Sequence, residues 1–295
     1  MGRDLAERDP ECRAVFDAAS AVLGYDLARV CFDGPQEELT RSDHAQPAIF
    51  TVSVAAYTAL RRAAPGRTFE AAAGLSSGEW TALHVAGALS FEDTLRVLEA
   101  RGRFMQKACT ETRGAMLSVI GLAPDQLERI CRNADVEVAN LNSPEQTVLS
   151  GPAEHIEKAE ALAGEAGAKR ALRLNVAGAF HSRLMESAAR QLGEFLETVA
   201  ISDPEMTVVS NVTGTPFESA DDIRRLMVEQ VRQSVRWVDG IRWMQAAGIN
   251  EYVECGPGKV LAGLVKRIDK QAAIHNIQDH SGLERTLAQW DTQEA

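Results

Sequence analysis

The spacing of apolar and polar residues predicts helices and strands that alternate along the outer parts of the chain. Apolar residues recur every three or four positions over 4–23 and 47–63, which predicts two helices near the start. The run FEAAAG (69–74) predicts a short strand that ends in glycine, and helical spacing returns over 80–89 and 90–108. This alternation is typical of an α/β core with a mostly parallel sheet.

The pattern of predicted elements changes between about residue 111 and residue 185. Its predicted elements are a strand (115–121), a helix (124–133), two strands (136–142 and 146–151), a helix (153–167) and a strand (169–175). The order β-α-β-β-α-β is that of a ferredoxin-like unit. We therefore predict an inserted ferredoxin-like subdomain over 111–185, and a core made of 1–110 and 186–295.

The last part of the chain returns to the alternating pattern. Helices are predicted over 182–200, 219–233, 237–247 and 256–268. A strand with a turn is predicted over 206–214 and a strand over 250–256. The Gly-Pro-Gly turn at 256–258 opens the last of these helices.

Charge and cysteine content exclude several classes of protein. The formal net charge is −11, so nucleic acid and anionic membranes are poor candidates for partners. The five cysteines show no C-x-x-C spacing, which favours reduced thiols and a cytoplasmic location. No apolar run approaches the roughly 20 residues that a membrane helix needs, and the charged start, MGRDLAERDPE, does not fit a signal peptide.

The stretch GLSSG (74–78) contains a candidate nucleophile, Ser76. It has the G-x-S-x-G spacing and lies between a predicted strand and a predicted helix, where backbone N–H groups at the helix start face the serine. A flexible turn is the alternative explanation for such a short pattern. A serine hydroxyl also needs a base before it can attack a carbonyl carbon.

His181 is the best-placed base among the six histidines. His84 and His155 lie inside predicted helices, where a packed or exposed role is expected, and His275 and His280 lack a glycine-supported turn. His181 instead ends the irregular stretch NVAGAFHS (175–182), where a side chain can project into a cleft.

Six segments give the chain a resemblance to one enzyme family. They are QPAIFTVSVAAY (46–57), AGLSSGEWTALHVAGALSFEDTLRVLEARGRFMQ (73–106), NSPEQTVLSG (142–151), GAFHSRLM (178–185), SNVTG (210–214) and ECGPGKVLAGLVKRI (254–268). Together they resemble the malonyl-CoA:acyl carrier protein transacylases, which include the acyltransferase domains of fatty acid and polyketide synthases. The resemblance covers nearly the whole chain and implies a hydrolase-like α/β core with a ferredoxin-like insertion.

The resemblance assigns roles to individual residues. Ser76 corresponds to the nucleophile and His181 to its base, with the second imidazole nitrogen held by a backbone carbonyl near Gln230. The arginine that pairs with the free carboxylate of the acyl group corresponds to Arg101, and a guanidinium can hold a carboxylate through two hydrogen bonds. Ser77 is expected to stabilise the oxyanion through its backbone N–H. Asn142 is also expected at the substrate site.

The sequence departs from the family pattern in two places. Leu75 stands before the nucleophile, where the family usually has histidine. The family also begins with a buried strand and a G-Q-G-x-Q segment, and this sequence starts at MGRDLAE, which resembles the residues after that segment. The resemblance therefore implies an open sheet edge and a weakened oxyanion hole.

These observations favour malonyl transfer from malonyl-CoA to the pantetheine thiol of an acyl carrier protein, by ping-pong kinetics through an acylated serine. No metal and no cofactor other than the coenzyme A thioester substrate is expected, and a monomer is expected. An acidic carrier needs a locally basic rim, for which the candidates are Arg170, Arg173, Arg183, Lys259 and Arg267. The alternatives are a serine esterase or thioesterase, and an impaired family member that acts as a binding partner.

Overall fold

A computed structural model describes residues 1–294, with helices and strands in alternation. The helices are α1 (Arg3–Arg8), α2 (Pro10–Leu23), α3 (Leu27–Asp33), α4 (Gln36–Leu39), α5 (Ser42–Ala63), α6 (Ser77–Val85), α7 (Phe91–Glu111), α8 (Pro124–Ala134), α9 (Ala153–Glu165), α10 (Glu186–Leu196), α11 (Ala220–Glu229), α12 (Trp237–Ala246), α13 (Val260–Ile268) and α14 (His280–Glu294). The strands are β1 (Ala71–Ala72), β2 (Gly114–Ile120), β3 (Glu137–Ser143), β4 (Gln146–Pro152), β5 (Arg170–Arg173), β6 (Thr207–Val208), β7 (Glu251–Cys255) and β8 (Ala273–Ile277). A 3₁₀ turn over Arg183–Met185 precedes α10.

The middle of the chain forms one four-stranded antiparallel sheet in the order β3-β4-β2-β5. The chain order of its elements is β-α-β-β-α-β, as the residue pattern predicts. Helices α8 and α9 pack together and enclose a core with the sheet. Its fully buried residues include Leu117, Leu149 and Ile156. Burying each such side chain contributes about 1.5–3 kcal/mol, so this sheet has a hydrophobic core of its own.

The remaining strands pair in parallel, but they form two two-stranded sheets, β1-β6 and β7-β8, instead of the single sheet that was predicted. Within residues 1–294, β1 and β7 each have one edge with no strand beside it. A cavity of about 630 Å³ touches both of these strands, with α5 on another side. The chain is thus a mixed α/β protein with parallel and antiparallel sheets.

Several predicted boundaries differ from the structure. The helix predicted over 47–63 begins at Ser42, and the strand predicted over 206–214 pairs only over Thr207–Val208. The helix predicted over 4–23 is two helices, because Pro10 disfavours helical backbone at Asp9, which is extended (φ −127°, ψ 114°). The strand predicted over 69–74 pairs over only two residues. The helix predicted over 182–200 begins as a 3₁₀ turn and ends at Leu196. The residue pattern did not predict β8 and α14.

Helices α5 and α7 form the frame behind the predicted nucleophile. They approach so closely that a Cβ atom at Gly102 would clash with the backbone of Ser42. This approach buries the neighbouring residue Arg101, which is 1% exposed.

Among residues 1–294, none of the helices is both long and apolar enough to cross a bilayer.

Candidate active site

Ser76 occupies a sharp turn between β1 and α6. Its backbone has φ 55° and ψ −111°, which is a rare conformation for any residue except glycine. The turn is so tight that a Cβ atom at Gly74 would clash with the backbone of Gly78. Such a turn projects the serine side chain away from the strand and helix on either side of it. The predicted nucleophile therefore lies on a strained elbow, which is characteristic of functional sites.

The side chains of Ser76 and His181 meet, although 105 residues separate them. Ser76 Oγ is 2.9 Å from His181 Nε2, and His181 Nδ1 is 2.7 Å from the backbone carbonyl of Gln230. A carbonyl oxygen can only accept, so Nδ1 carries the hydrogen and Nε2 presents its lone pair to the serine. His181 also has a positive φ of 56°. This geometry suits proton transfer from Ser76 to His181.

The Arg101 guanidinium lies directly beside the serine hydroxyl. Its Nη2 donates to Ser76 Oγ over 3.1 Å and to Gln230 Oε1 over 2.9 Å, and its Nη1 donates to Gln46 Oε1 over 2.6 Å. All of these acceptors are neutral. Within residues 1–294, no carboxylate lies within salt-bridge distance of Arg101 and its Nε–H has no hydrogen-bond partner. The site therefore holds a buried positive charge whose hydrogen-bond partners are all neutral, and the attraction of Glu79 acts on it without a direct ion pair.

Two amide side chains from distant segments fix the elbow. Asn211 Oδ1 accepts from the Ser76 N–H over 2.7 Å, and Asn211 Nδ2 donates to the Gly74 carbonyl over 2.8 Å. Gln230 Nε2 donates to the Ser76 carbonyl over 2.9 Å. The backbone of Ser76 is thus held on both sides, and the Gln230 residue also orients His181 through its own carbonyl.

Glu79 joins the two amides to each other. It is fully buried, and its Oε1 accepts from the Asn211 backbone N–H over 2.8 Å. Its Oε2 accepts from Gln230 Nε2 over 2.5 Å. Glu79, Asn211 and Gln230 form the "elbow brace", a set of buried polar side chains around Ser76. Buried polar groups of this kind are costly to leave unpaired, so the brace is rigid only while it is complete.

Burial shifts the pKa of the groups at this site. Desolvation, and then the Arg101 charge, lowers the pKa of His181 to about 4. His181 is therefore neutral at pH 7 and free to accept a proton. Burial raises the pKa of Glu79 to about 8, and burial lowers the pKa of Arg101 to about 10, against the attraction of Glu79.

The other two predicted substrate residues do not contact the dyad through their side chains. Ser77 is the first residue of α6, and its backbone N–H has no partner within residues 1–294, which leaves it available at the elbow. Asn142 lies on β3, and its buried Oδ1 also lacks a hydrogen-bond partner in the described part of the chain. Leu75 packs among apolar side chains and makes no polar contact with His181.

Sequence reasoning assigned no role to Gln46, Glu79 or Asn211, although all three lie in the segments that carry the resemblance. Glu79 ends the stretch GLSSGE (74–79), so its spacing from Ser76 matches the family's serine motif, but the motif does not reveal what this glutamate contacts. Gln46 and Asn211 have no such spacing signal, because each acts through contacts with residues far along the chain. Within residues 1–294 there is no group of three or more His, Cys, Asp or Glu side chains suited to holding a metal ion.

Comparisons with known proteins identify the family of the chain. Residues 1–285 match the family described as "Acyl transferase domain", and the chain belongs to this family. The malonyl CoA-acyl carrier protein transacylase of Bacillus subtilis (strain 168) is 38% identical over 292 residues, which cover 97% of this chain and 92% of that protein.

Solved structures give the same result for the fold. The malonyl CoA-acyl carrier protein transacylase of Clostridium perfringens superposes with a TM-score of 0.95 at 36% identity, over 100% of this chain and 93% of that one. A malonyl-transacylase solved in complex with a type II polyketide synthase acyl-carrier protein gives a TM-score of 0.94 at 37% identity, over 98% and 94% of the two chains.

Proposed function

We propose that this protein transfers a malonyl group from malonyl-CoA to the thiol of an acyl carrier protein. The observation that carries this proposal is Arg101, a buried cation without a paired carboxylate, with Nη2 3.1 Å from Ser76 Oγ. Malonyl ends in a carboxylate, which would supply the missing anion. The names of the relatives support the same substrate and acceptor.

In the first half-reaction, His181 Nε2 takes the hydroxyl proton of Ser76 as Oγ attacks the thioester carbonyl carbon. We assign stabilisation of the oxyanion that forms to the backbone N–H of Ser77, the first residue of α6. A single donor of this kind is typically worth about 2.7–4 kcal/mol of barrier. The intermediate then collapses, the carbon–sulfur bond breaks, and the His181 imidazolium protonates the departing coenzyme A thiolate. The product is malonyl-Ser76.

In the second half-reaction, His181 takes the proton of the carrier thiol, and the sulfur attacks the ester carbonyl carbon. Ser76 Oγ leaves and recovers its proton from His181. No redox change occurs in either half, so the proposed chemistry uses no cofactor beyond the thioester substrate. We also propose that Asn142 contacts the substrate, since its buried Oδ1 has no partner within residues 1–294.

We further propose that residues 1–110 and 186–295 form a hydrolase-like core and that residues 111–185 form a ferredoxin-like subdomain inserted into it. The separate core of the four-stranded sheet and its β-α-β-β-α-β order support this division. A monomer in the cytoplasm remains our proposal, and the five cysteines without a disulfide are consistent with that compartment.

Intact-mass measurement after incubation with malonyl-CoA tests the proposal. We expect the protein to gain one malonyl group, which Ser76→Ala abolishes and the adjacent Ser77→Ala retains. Adding a holo acyl carrier protein should discharge the acyl-enzyme. An acyl-enzyme that hydrolyses rapidly without a thiol would instead identify an esterase or thioesterase, and a wild-type protein that gains no mass would contradict the proposal.

A further inference from the structure

Arg183 joins the segment that carries the base to the four-stranded sheet. It lies two residues after His181, in the 3₁₀ turn before α10. Its Nη1 donates to Glu137 Oε1 over 3.0 Å, and its backbone N–H donates to Glu137 Oε2 over 2.8 Å. Its Nη2 donates to Asp135 Oδ2 over 2.7 Å and to the Asp135 carbonyl over 3.1 Å. The main chain and the side chain of Arg183 are thus both bound at the start of β3.

These contacts neutralise a cation that the sequence nominates for a basic rim. Arg173, another of the nominated cations, is neutralised in the same way by Glu157 and Glu160. The two arginine side chains are almost equally exposed, at 43% for Arg183 and 44% for Arg173. They differ in what they connect. Arg173 pairs β5 with α9 inside the four-stranded unit, whereas Arg183 connects that unit to the segment of His181.

The backbone of His181 needs support from outside its own loop. Its φ is 56°, a left-handed conformation that residues other than glycine rarely adopt. Such conformations persist only where surrounding contacts hold them. Ser182 Oγ donates to the Ala179 carbonyl over 2.7 Å, which closes the loop on itself. The contacts of Arg183 then tie this loop to a distant part of the chain.

The residue that orients the imidazole ring is tied to the same strand. β3 is the first strand in the order β3-β4-β2-β5, and its outer edge meets Val235. The Val235 N–H donates to the Ala139 carbonyl over 2.8 Å, and the Leu141 N–H donates to the Val235 carbonyl over 2.9 Å. Val235 lies five residues after Gln230, whose carbonyl accepts from His181 Nδ1. The edge of β3 therefore supports the base from both sides.

Stability alone does not explain the contacts of Arg183. Exposed ion pairs contribute little to the free energy of unfolding, because water and salt screen them. The rate of a reaction, in contrast, depends steeply on the position of the reacting groups. Ser76 Oγ and His181 Nε2 are 2.9 Å apart, so a small rotation of the His181 backbone would break this hydrogen bond.

We propose that Arg183 is a positioning residue for the base. By binding Asp135 and Glu137, it holds the His181 backbone in the conformation that presents Nε2 to Ser76. Arg183 acts through His181 and not on the reacting atoms. None of the three residues of this contact belongs to the apolar core of the sheet, so the contact is separate from the packing of that core. The inference rests on the proposed function for the role of His181 as the base.

The test is Arg183→Glu, which places a third carboxylate beside Asp135 and Glu137, with Arg173→Glu as the matched control. Two rates are measured per folded molecule: acylation of Ser76 by malonyl-CoA, and labelling of Ser76 by a fluorophosphonate, which reports an activated serine. We expect both rates to fall about 10-fold in Arg183→Glu and to stay unchanged in Arg173→Glu. Arg183→Lys keeps the charge but not the planar fork, so its rates should stay within about 3-fold of the wild type.

A second comparison separates positioning of the base from a general effect on the fold. In a His181→Ala background, Arg183→Glu should slow neither reaction further, because the base that Arg183 positions is absent. A further fall in that background, unchanged rates in Arg183→Glu alone, or an equal fall in Arg173→Glu would overturn the proposal. If Arg183→Glu fails to fold, Arg183→Ala gives the same readout with a smaller expected fall.

A failure of the proposed function has a different signature. The wild-type protein would then gain no malonyl group, while its labelling by the fluorophosphonate would still depend on His181 and Arg183. A wild-type protein that also resisted the fluorophosphonate would overturn this inference together with the proposed function.

Discussion

The elbow around Ser76 and the four-stranded sheet are held together by different kinds of contact. The sheet relies on backbone ladders between strands that lie close in the sequence, and on apolar side chains such as Leu149 and Ile156. The elbow relies on single polar side chains from far away: Asn211 is 135 residues from Ser76, and Gln230 is 154 residues away.

This difference determines how each region tolerates change. A packed sheet spreads its stability over many apolar contacts, each of which is replaceable at moderate cost. A buried polar network fails when one partner is lost, because the remaining donors and acceptors are left unpaired. We therefore expect substitutions near Ser76 to change chemistry, and substitutions in the sheet to change stability alone.

Removing the base is the most severe test on the elbow side. His181→Ala should lower the rate of acylation by malonyl-CoA about 10²–10⁴-fold, the usual contribution of a positioned general base. Stopped-flow or quenched mass measurements of acyl-enzyme formation give this rate. The matched control is His155→Ala, which removes a half-exposed histidine from α9 and should leave acylation unchanged. If both variants lowered the acylation rate by the same factor, His181 would not be the base that acts on Ser76.

Replacing Arg101 tests whether the buried charge selects the substrate. Arg101→Ala should lower malonyl transfer about 10–100-fold, because a hydrogen bond to a charged group is worth about 1.5–3 kcal/mol. Acetyl transfer should be unchanged or faster, and Arg103→Ala, which removes an exposed arginine from the same helix, should change neither. Malonyl and acetyl rates that fall by the same factor would make Arg101 structural.

The same variant has a predicted effect on pH dependence. His181 must be neutral to act as a base, and its pKa is lowered to about 4, so wild-type acylation should be lost only as the pH falls toward 4. Part of that shift comes from the Arg101 charge. Removing this charge makes the protonated imidazole less unfavourable, so the acid limb for acetyl transfer should move to higher pH in Arg101→Ala. If the acid limb of acetyl transfer had the same pH midpoint in Arg101→Ala as in the wild type, burial alone would set the pKa of His181.

The contrast between the regions also explains what the sequence can predict. The elements from 115 to 175 follow local patterns, so the order and approximate bounds of β2 to β5 were predictable from spacing. The strands β1 and β6 of the core were harder to predict from spacing. They pair over only two residues each, and so short a run shows little periodicity. Pro10 was a readable helix start that the apolar spacing over 4–23 obscured.

At the site, the sequence predicts those residues whose side-chain type has a recognisable role in the reaction. Ser76, His181 and Arg101 could be named from the sequence because each is the type of residue that acyl transfer requires, and the fold brings their side chains together. Glu79 and Asn211 could not be assigned from the sequence, because a buried glutamate and a surface one look alike until the fold supplies their partners. Their contacts with Ser76 and Gln230 exist only in three dimensions.

Loss of one amide should damage both the elbow and stability. Asn211→Ala removes the acceptor of the Ser76 N–H and the donor to the Gly74 carbonyl, and it leaves both buried groups unpaired. We expect the free energy of unfolding to fall by about 1–3 kcal/mol and acylation to slow about 10-fold. Denaturant titration and the acylation assay check both. The control Thr213→Ala changes an exposed hydroxyl two residues away, and if it slowed acylation equally, Asn211 would have no particular role.

The smallest effect on catalysis is expected in the four-stranded sheet. Ile156 is fully buried between α9 and the strands, so Ile156→Ala leaves a cavity and should lower the free energy of unfolding by about 2–5 kcal/mol. The rate of Ser76 acylation per folded molecule should not change, because no side chain of the elbow brace contacts this core. Urea denaturation followed by circular dichroism measures the first quantity, and acylation at a temperature where both proteins are folded measures the second. Glu154→Ala, an exposed position on the same helix, should change neither by much. If Ile156→Ala slowed acylation as strongly as Asn211→Ala does, the sheet and the elbow would be one cooperative unit, and packing in the sheet would not be independent of chemistry at Ser76.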